Sequence, residues 1–136
     1  MAKNQNIIIN GISLTSIRFQ VYKIIDSHNK PIGAYEILEK LKVVKQNAEA
    51  MTVYRSLNFL MSKGLIHDIK SLKKYSSCCH PNAKQCILFI CLSCGKKQES
   101  HNSKILSDIK ELASRLNFTP QASSIDLNGY CSECKN

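Results

Sequence analysis

The sequence predicts an α+β fold made of two small domains, residues 1–80 and residues 81–136. Three observations predict it. Apolar residues recur at helical spacing three times in the first half, a continuous apolar run opens the second half, and two Cys-x-x-Cys pairs bracket that second half. With 136 residues in all, each domain has a thin hydrophobic core, so a metal cross-link in one of them makes physical sense.

Three helices followed by a hairpin are predicted in residues 1–80. Thr15 is suited to cap the first helix, the third spans about 48–63, and Gly64 ends it. The predicted buried faces are marked by apolar residues three or four positions apart: Ile17, Val21 and Ile24; then Ala34, Ile37, Leu38 and Leu41; then Ala50, Val53, Leu57 and Leu60. Strands at 65–69 and 74–78 follow. This is the layout of a winged helix-turn-helix domain, whose third helix enters the DNA major groove.

The second domain is predicted to be a small β-β-α-β module. Its strands are expected at 86–91, buried on both faces, at 96–100, and at 124–128. Between them, a helix carries an amphipathic seam at helical spacing: Ile105, Ile109, Leu112 and Leu116. A module of this size exposes strand edges and a helix face, so we expect it to form a homodimer.

Positive charge is concentrated in the first half of the chain. Residues 1–75 carry 12 Lys and Arg against 5 Asp and Glu, whereas residues 76–136 carry 7 against 5. The net charge of +9 therefore comes mostly from the predicted helical domain. A basic domain most often binds phosphate groups, and a solvated basic surface is the alternative.

Cys91, Cys94, Cys131 and Cys134 form the two Cys-x-x-Cys pairs. Each pair turns two sulfurs onto one metal, and two pairs complete a tetrahedral thiolate set for Zn²⁺. Four protein ligands leave no open position, so such a zinc would be structural. Two disulfides, or four reduced core thiols, are the alternatives.

The remaining sequence features predict a reduced, cytoplasmic protein with no membrane association. The seven cysteines are an odd number, which does not suit a secreted disulfide framework. The apolar run near the N-terminus is too short for a signal-peptide core, and no stretch approaches the roughly 20 apolar residues of a membrane span.

Several of these motifs together resemble the ferric uptake regulator family, and within it the zinc uptake regulator branch. They are Thr52-Val-Tyr-Arg55-Ser-Leu57, Lys63-Gly64-Leu-Ile-His67 and the paired Cys-x-x-Cys motifs, over about Leu14 to Cys134. The segment from Ala34 to Leu38 and the run Tyr75-Ser-Ser-Cys78 are similar to the zinc branch. The resemblance implies a dimeric, metal-dependent repressor of operator DNA, with zinc as co-repressor and two zinc ions per subunit.

The resemblance also implies roles for individual residues. Tyr35 and Arg55 would touch bases, and Arg18, Thr52 and Tyr54 the DNA backbone; core packing is the alternative for Tyr54, and Lys45 would be a nonspecific contact. A second, regulatory zinc site is implied at residues that supply nitrogen, sulfur and oxygen donors: His67, Cys78, Cys86 and Glu99. His80 and His101 are substitutes if Cys86 or Glu99 is not a ligand, and Cys79 is a bystander.

Other functions fit the sequence less well. A zinc deaminase needs His-x-Glu beside Pro-Cys-x-x-Cys, and neither motif is present. A redox Cys-x-x-Cys opens a helix, whereas Gly95-Lys-Lys and a strand-like sequence follow the first pair here. A zinc-stabilised DNA-binding protein without metal sensing remains an alternative, as does an iron- or peroxide-responsive regulator of the same family.

Overall fold

The computed structural model describes residues 6–28, 30–78, 86–120 and 124–135. The chain divides into two compact units, Met1–Pro81 and Asn82–Asn136. Within the described residues, no helix is long and apolar enough to cross a membrane.

The first unit is the predicted set of helices with a hairpin, preceded by a second hairpin. Its elements in chain order are β1 (Ile7–Ile9), β2 (Ile12–Leu14), α1 (Ser16–Ser27), α2 (Ala34–Val44), α3 (Ala50–Ser62), β3 (Ile66–Ile69) and β4 (Lys74–Ser77). The three helices and the β3–β4 hairpin confirm the α+β prediction and fit a winged helix-turn-helix.

The β1–β2 hairpin was not predicted from the sequence. Asn10 and Gly11 form its turn with φ of 50° and 78°, a left-handed pair that Asn-Gly adopts readily in two-residue hairpins. The hairpin ends at Leu14, which is fully buried. Thr15 then caps α1 as predicted, because its hydroxyl accepts a hydrogen bond from the Arg18 amide at 3.4 Å.

The three helices of this unit surround one hydrophobic core. Its most deeply buried side chains are Leu14, Val21, Ile25, Ile32, Ile37, Leu41, Val53, Leu57, Leu60 and Leu65. Two details of the predicted faces are wrong. Ile25, four residues after Val21, is fully buried, whereas Ile24 is only partly buried. Ala50 is exposed at the first turn of α3, and Ala48 is buried instead.

The end of α3 sets the position of the β3–β4 hairpin. Gly64 has φ of 71°, and the next amide, Leu65, donates back to the Leu60 carbonyl at 3.0 Å, which ends the helix. The hairpin is tied to the helices through Tyr75, whose amide and carbonyl both bond Ile32, at 2.8 and 2.9 Å.

The second unit has a three-stranded sheet and one helix. Its elements are β5 (Cys86–Cys91), β6 (Lys97–Ser100), α4 (Ser103–Arg115) and β7 (Ser124–Gly129). The strand order is β6-β5-β7, with β5 antiparallel to β6 and parallel to β7. Burial of β5 on both faces holds except at Phe89, which is 44% exposed.

The predicted seam of α4 is exposed in the single chain. Its four members are between 36% and 69% exposed: Ile105, Ile109, Leu112 and Leu116. Only Leu106 and Ala113 of this helix are buried. The apolar face that the sequence predicts is therefore present, but it does not cover the unit's own core.

Candidate functional site

The four paired cysteines lie together at one end of the second sheet. Their sulfur atoms all lie within 4.8 Å of one another, with Cys94 Sγ and Cys131 Sγ 3.8 Å apart. None of the four is in a disulfide. The structure therefore brings together the residues Cys91, Cys94, Cys131 and Cys134, which the sequence singles out.

The parallel pairing of β5 and β7 produces this convergence. Cys91 ends β5 opposite Gly129, the last residue of β7, so the chain beyond each strand turns toward the same place. The first turn closes through Gly95, whose φ is 76° and whose amide bonds the Cys91 carbonyl at 2.9 Å. A left-handed residue at this point is natural for glycine.

The backbone stabilises negative charge on one of these sulfurs. The amides of Cys94 and Cys131 donate to Cys91 Sγ at 3.5 and 3.4 Å. These two hydrogen bonds lower the pKa of Cys91 to about 6, against the opposing effect of burial.

The pKa of the last thiol of the cluster, Cys134, is shifted in the opposite direction. A hydrogen bond with Ser93 lowers the pKa of Cys134, but the neighbouring thiol of Cys131, burial, and the other two sulfurs outweigh it and raise that pKa to about 12. A cation bound among the four sulfurs would favour ionisation of all four thiols at neutral pH.

This geometry and donor set fit a tetrahedral thiolate site. With Zn–S bonds of about 2.3 Å, two sulfurs of a tetrahedral zinc site lie about 3.8 Å apart, which matches the Cys94–Cys131 separation of 3.8 Å. The four sulfurs also occupy every position around such an ion, so no substrate site remains open.

The first unit places His67 and Cys78 on one face of its hairpin. His67 pairs with Ser76, and the Cys78 amide bonds the Leu65 carbonyl at 3.0 Å, so the two candidate ligands are diagonal neighbours. His67 is only 4% exposed, so it is not a surface strand residue. Ser76, opposite it, buries its hydroxyl without a hydrogen-bond partner among the described residues.

The second unit arranges Cys86 and Glu99 in the same diagonal way. Glu99 pairs with Leu88, and Cys86 lies two residues before Leu88 on the same face. Cys86 is 1% exposed. The Glu99 carboxylate accepts from Lys97 at 3.4 Å and its side chain is 2% exposed, so it is not an ordinary surface carboxylate.

Of the two substitute ligands, His80 and His101, the structure describes only His101. Cys79 and His80 lie outside the described residues. His101 follows β6 and is exposed. Each unit thus offers one diagonal donor pair.

The predicted DNA contacts lie largely on the surface of the first unit. On α3, Arg55 is exposed and Tyr54 is 51% exposed, while Tyr35 on α2 is 75% exposed. Core packing of Tyr54 is thereby excluded. Thr52 is half-buried and Lys45 is exposed.

Arg18 is half-buried on α1 and interacts with α3. Its guanidinium carbon lies 3.8 Å from the centroid of the Phe59 ring, a cation–π contact. Lys63 approaches the same ring at 5.7 Å.

The comparisons with known proteins agree with this architecture. The model of the ferric uptake regulator family matches residues 9–128. The chain belongs to the ferric uptake regulator family.

Similar members of the family are zinc uptake regulators. The zinc uptake regulation protein of Escherichia coli K12 is 29% identical over 130 residues, which cover 91% of this chain and 74% of that protein. Among solved structures, holo XcZur has a TM-score of 0.80 at 33% identity, covering 91% of this chain and 87% of its own. A zinc uptake regulator complexed with zinc and DNA has a TM-score of 0.83 at 27% identity, covering 91% and 84%.

The family match covers only half of the thiol cluster, Cys91 and Cys94. The matched segment ends at residue 128, so Cys131 and Cys134 lie beyond it. Their place in the site comes from the Cys-x-x-Cys spacing and from the sulfur distances. The match does contain α3, the β3–β4 hairpin and the donor pairs of both units.

Proposed function

We propose that this member of the ferric uptake regulator family is a zinc-responsive transcriptional repressor. It binds palindromic operator DNA as a homodimer, with zinc as co-repressor, and controls zinc-uptake genes. The observation that carries the proposal is the pair of largely buried donor sets assigned to the regulatory zinc, His67 with Cys78 and Cys86 with Glu99. The third helix of the same chain exposes Tyr54 and Arg55. The similar zinc uptake regulator that is complexed with zinc and DNA supports the same assignment.

The first of two zinc ions per subunit is structural. Cys91, Cys94, Cys131 and Cys134 hold it, and it fastens the end of β7 to the end of β5. The second unit has few buried apolar residues, so the binding energy of this zinc contributes directly to folding.

The second zinc is regulatory, with ligands His67, Cys78, Cys86 and Glu99. The diagonal pairs in each unit and the burial of His67 and Cys86 support this set. Two thiolates favour Zn²⁺ over Fe²⁺ or Mn²⁺, whose sites prefer imidazole and carboxylate. His101 is the substitute ligand on the side of the second unit.

Sharing a metal between two units provides the switch. Four ligands from both units reach one ion in only one relative orientation, so zinc selects that orientation from a wider ensemble. If this is the orientation in which a dimer presents two α3 helices to successive major grooves, zinc and DNA strengthen each other's binding by the same factor.

Exposed and half-buried residues of the first unit recognise the operator. Arg55 is suited to a bidentate contact with guanine O6 and N7, and Tyr35 reaches a second base. Arg18, Thr52 and Tyr54 contact the DNA backbone. Lys45 adds a nonspecific phosphate contact, as the basic first half of the chain predicts.

The second unit is the dimerisation domain. The α4 seam is apolar and exposed in the single chain, and β6 and β7 are both edge strands. Burying the seam against a second copy removes it from water. We assign the protein no catalytic activity, since the four thiols occupy all positions of the structural metal, and we place it in the cytoplasm with its DNA.

The test is operator binding at buffered free zinc. Zinc-loaded wild-type protein selects duplexes from a randomised pool, and binding to the selected duplex is then measured by fluorescence anisotropy after mild chelation and after zinc is restored. We expect one zinc per subunit to survive chelation while operator binding is lost and then recovered. Operator binding that persists with only the tightly held zinc would instead establish a zinc-stabilised DNA-binding protein without sensing.

A further inference from the structure

Helix α3 carries one large, exposed apolar side chain, Met51, to which the roles above assign nothing. Its buried side faces the core through Val53, Leu57 and Leu60. Met51, near the start of the helix, is 59% exposed and lies three and four residues before Tyr54 and Arg55. Positions three and four apart share a helix face, so Met51 belongs to the same outward face as the two predicted DNA contacts.

The position of Met51 on the helix favours contact with bases. In helix-turn-helix proteins the N-terminal residues of the third helix reach the base edges, and Met51 is the second residue of α3. It is also absent from the apolar side chains that pack against the core of the first unit.

The chemistry of the side chain restricts what it can read. A thioether is at best a weak hydrogen-bond acceptor and donates nothing, so it does not read the donor and acceptor pattern of the bases. The apolar feature of the major groove is the C5-methyl group of thymine. Methionine is flexible and polarisable, which suits it to close contact with such a group.

We propose that Met51 is a specificity-determining residue that contacts a thymine methyl group in each operator half-site. This inference rests on the proposed function. Four residues of helix rise by about 6 Å, and base pairs are about 3.4 Å apart. The thymine therefore lies within about two base pairs of the base that Arg55 contacts.

Deletion of the methyl group from the DNA tests the contact directly. Each thymine of the selected operator is replaced in turn by uracil, which lacks only that group, and affinity is measured for the zinc-loaded wild-type dimer and for Met51→Ala. At one thymine per half-site we expect uracil to weaken wild-type binding about fourfold. Met51→Ala loses a similar factor on the thymine operator and is insensitive to uracil at that position.

Val43→Ala is the matched control, because Val43 is an apolar residue on α2 that is 83% exposed. This variant should retain the full sensitivity to uracil. The proposal is overturned if wild-type binding is indifferent to uracil at every thymine, or if Met51→Ala keeps the wild-type sensitivity. Either of these two results would overturn the role of Met51 but would still be compatible with zinc-dependent operator binding. Failure of the zinc-loaded protein to bind any duplex would overturn the proposed function itself.

Discussion

The two units of this chain achieve stability in different ways. In the first, three helices enclose a core of fully buried aliphatic side chains such as Val21, Leu41 and Leu57. In the second, the sheet buries Ile87, Leu88 and Ile90, while the α4 seam stays exposed. The first unit encloses its own hydrophobic core and carries the proposed DNA contacts on its surface. We propose that the second unit is stabilised by a metal ion and by contact with a second copy, because its own core is small.

Removing a ligand of the structural zinc should have the largest effect, confined to the second unit. In Cys94→Ser we expect loss of the tightly bound zinc, of the dimer and of amide protection in β5–β7, because metal binding in such small domains is folding energy of roughly 10 kcal/mol or more. Amides of α1–α3 should remain protected. Metal analysis, light scattering and hydrogen exchange measure the three outcomes.

Ser132→Ala serves as the control for that experiment, since Ser132 is exposed between Cys131 and Cys134. It should keep zinc, dimer and protection. A folded, dimeric, zinc-free Cys94→Ser protein would show that the second unit does not need the metal.

The converse prediction concerns the core of the first unit. Leu57 is fully buried, so Leu57→Ala should lower the free energy of opening of the α1–α3 amides by about 2–5 kcal/mol. The structural zinc should be unaffected. Asn58→Ala, one residue further and exposed, should change that free energy little. Equal loss of protection in both units would contradict their independence.

Base reading by the first unit should be separable from its general affinity for DNA. Arg55→Ala should cost about 1–3 kcal/mol per half-site and relax the sequence preference. Lys45→Ala should weaken selected and scrambled duplexes alike, with a shallower salt dependence. If Arg55→Ala kept both affinity and preference, α3 would not be the reading helix.

The smallest predicted effect tests the exposed face of the second unit. Leu112 is 56% exposed in the single chain, and Leu112→Ala should raise the dimer dissociation constant about tenfold without loss of structural zinc. Lys110→Ala, on the same helix and also exposed, should leave dimerisation unchanged. Sedimentation at several concentrations distinguishes the two variants.

Local signals in the sequence predict most of the fold. Helical spacing, the Thr15 cap and the Gly64 stop place α1–α3 within a few residues of their observed bounds. The β1–β2 hairpin was missed, although Asn10-Gly11 between short apolar runs is its signal. Burial of Ala48 in place of Ala50 depends on how the chain enters α3, which spacing alone does not determine.

For the candidate site, too, the sequence reveals features that depend on local motifs and does not reveal those that depend on distant contacts. Spacing alone singled out Cys91, Cys94, Cys131 and Cys134, because both pairs are local motifs. Burial of the His67 and Glu99 side chains depends on tertiary packing, which the sequence does not display. Met51 lies within the third helix, which the sequence predicts at about 48–63. Its spacing of four residues from Arg55 indicates that the two side chains share a helix face.

The regulatory zinc is where the two units are proposed to act together, and Cys78→Ser tests it most directly. Operator affinity is measured against buffered free zinc for wild type, Cys78→Ser and the neighbouring Cys79→Ser. We predict that Cys78→Ser keeps one zinc per subunit and the dimer but loses zinc-dependent operator binding, while Cys79→Ser behaves as wild type. An unchanged zinc response in Cys78→Ser would contradict the account, and damage from Cys79→Ser alone would move the ligand to the adjacent residue.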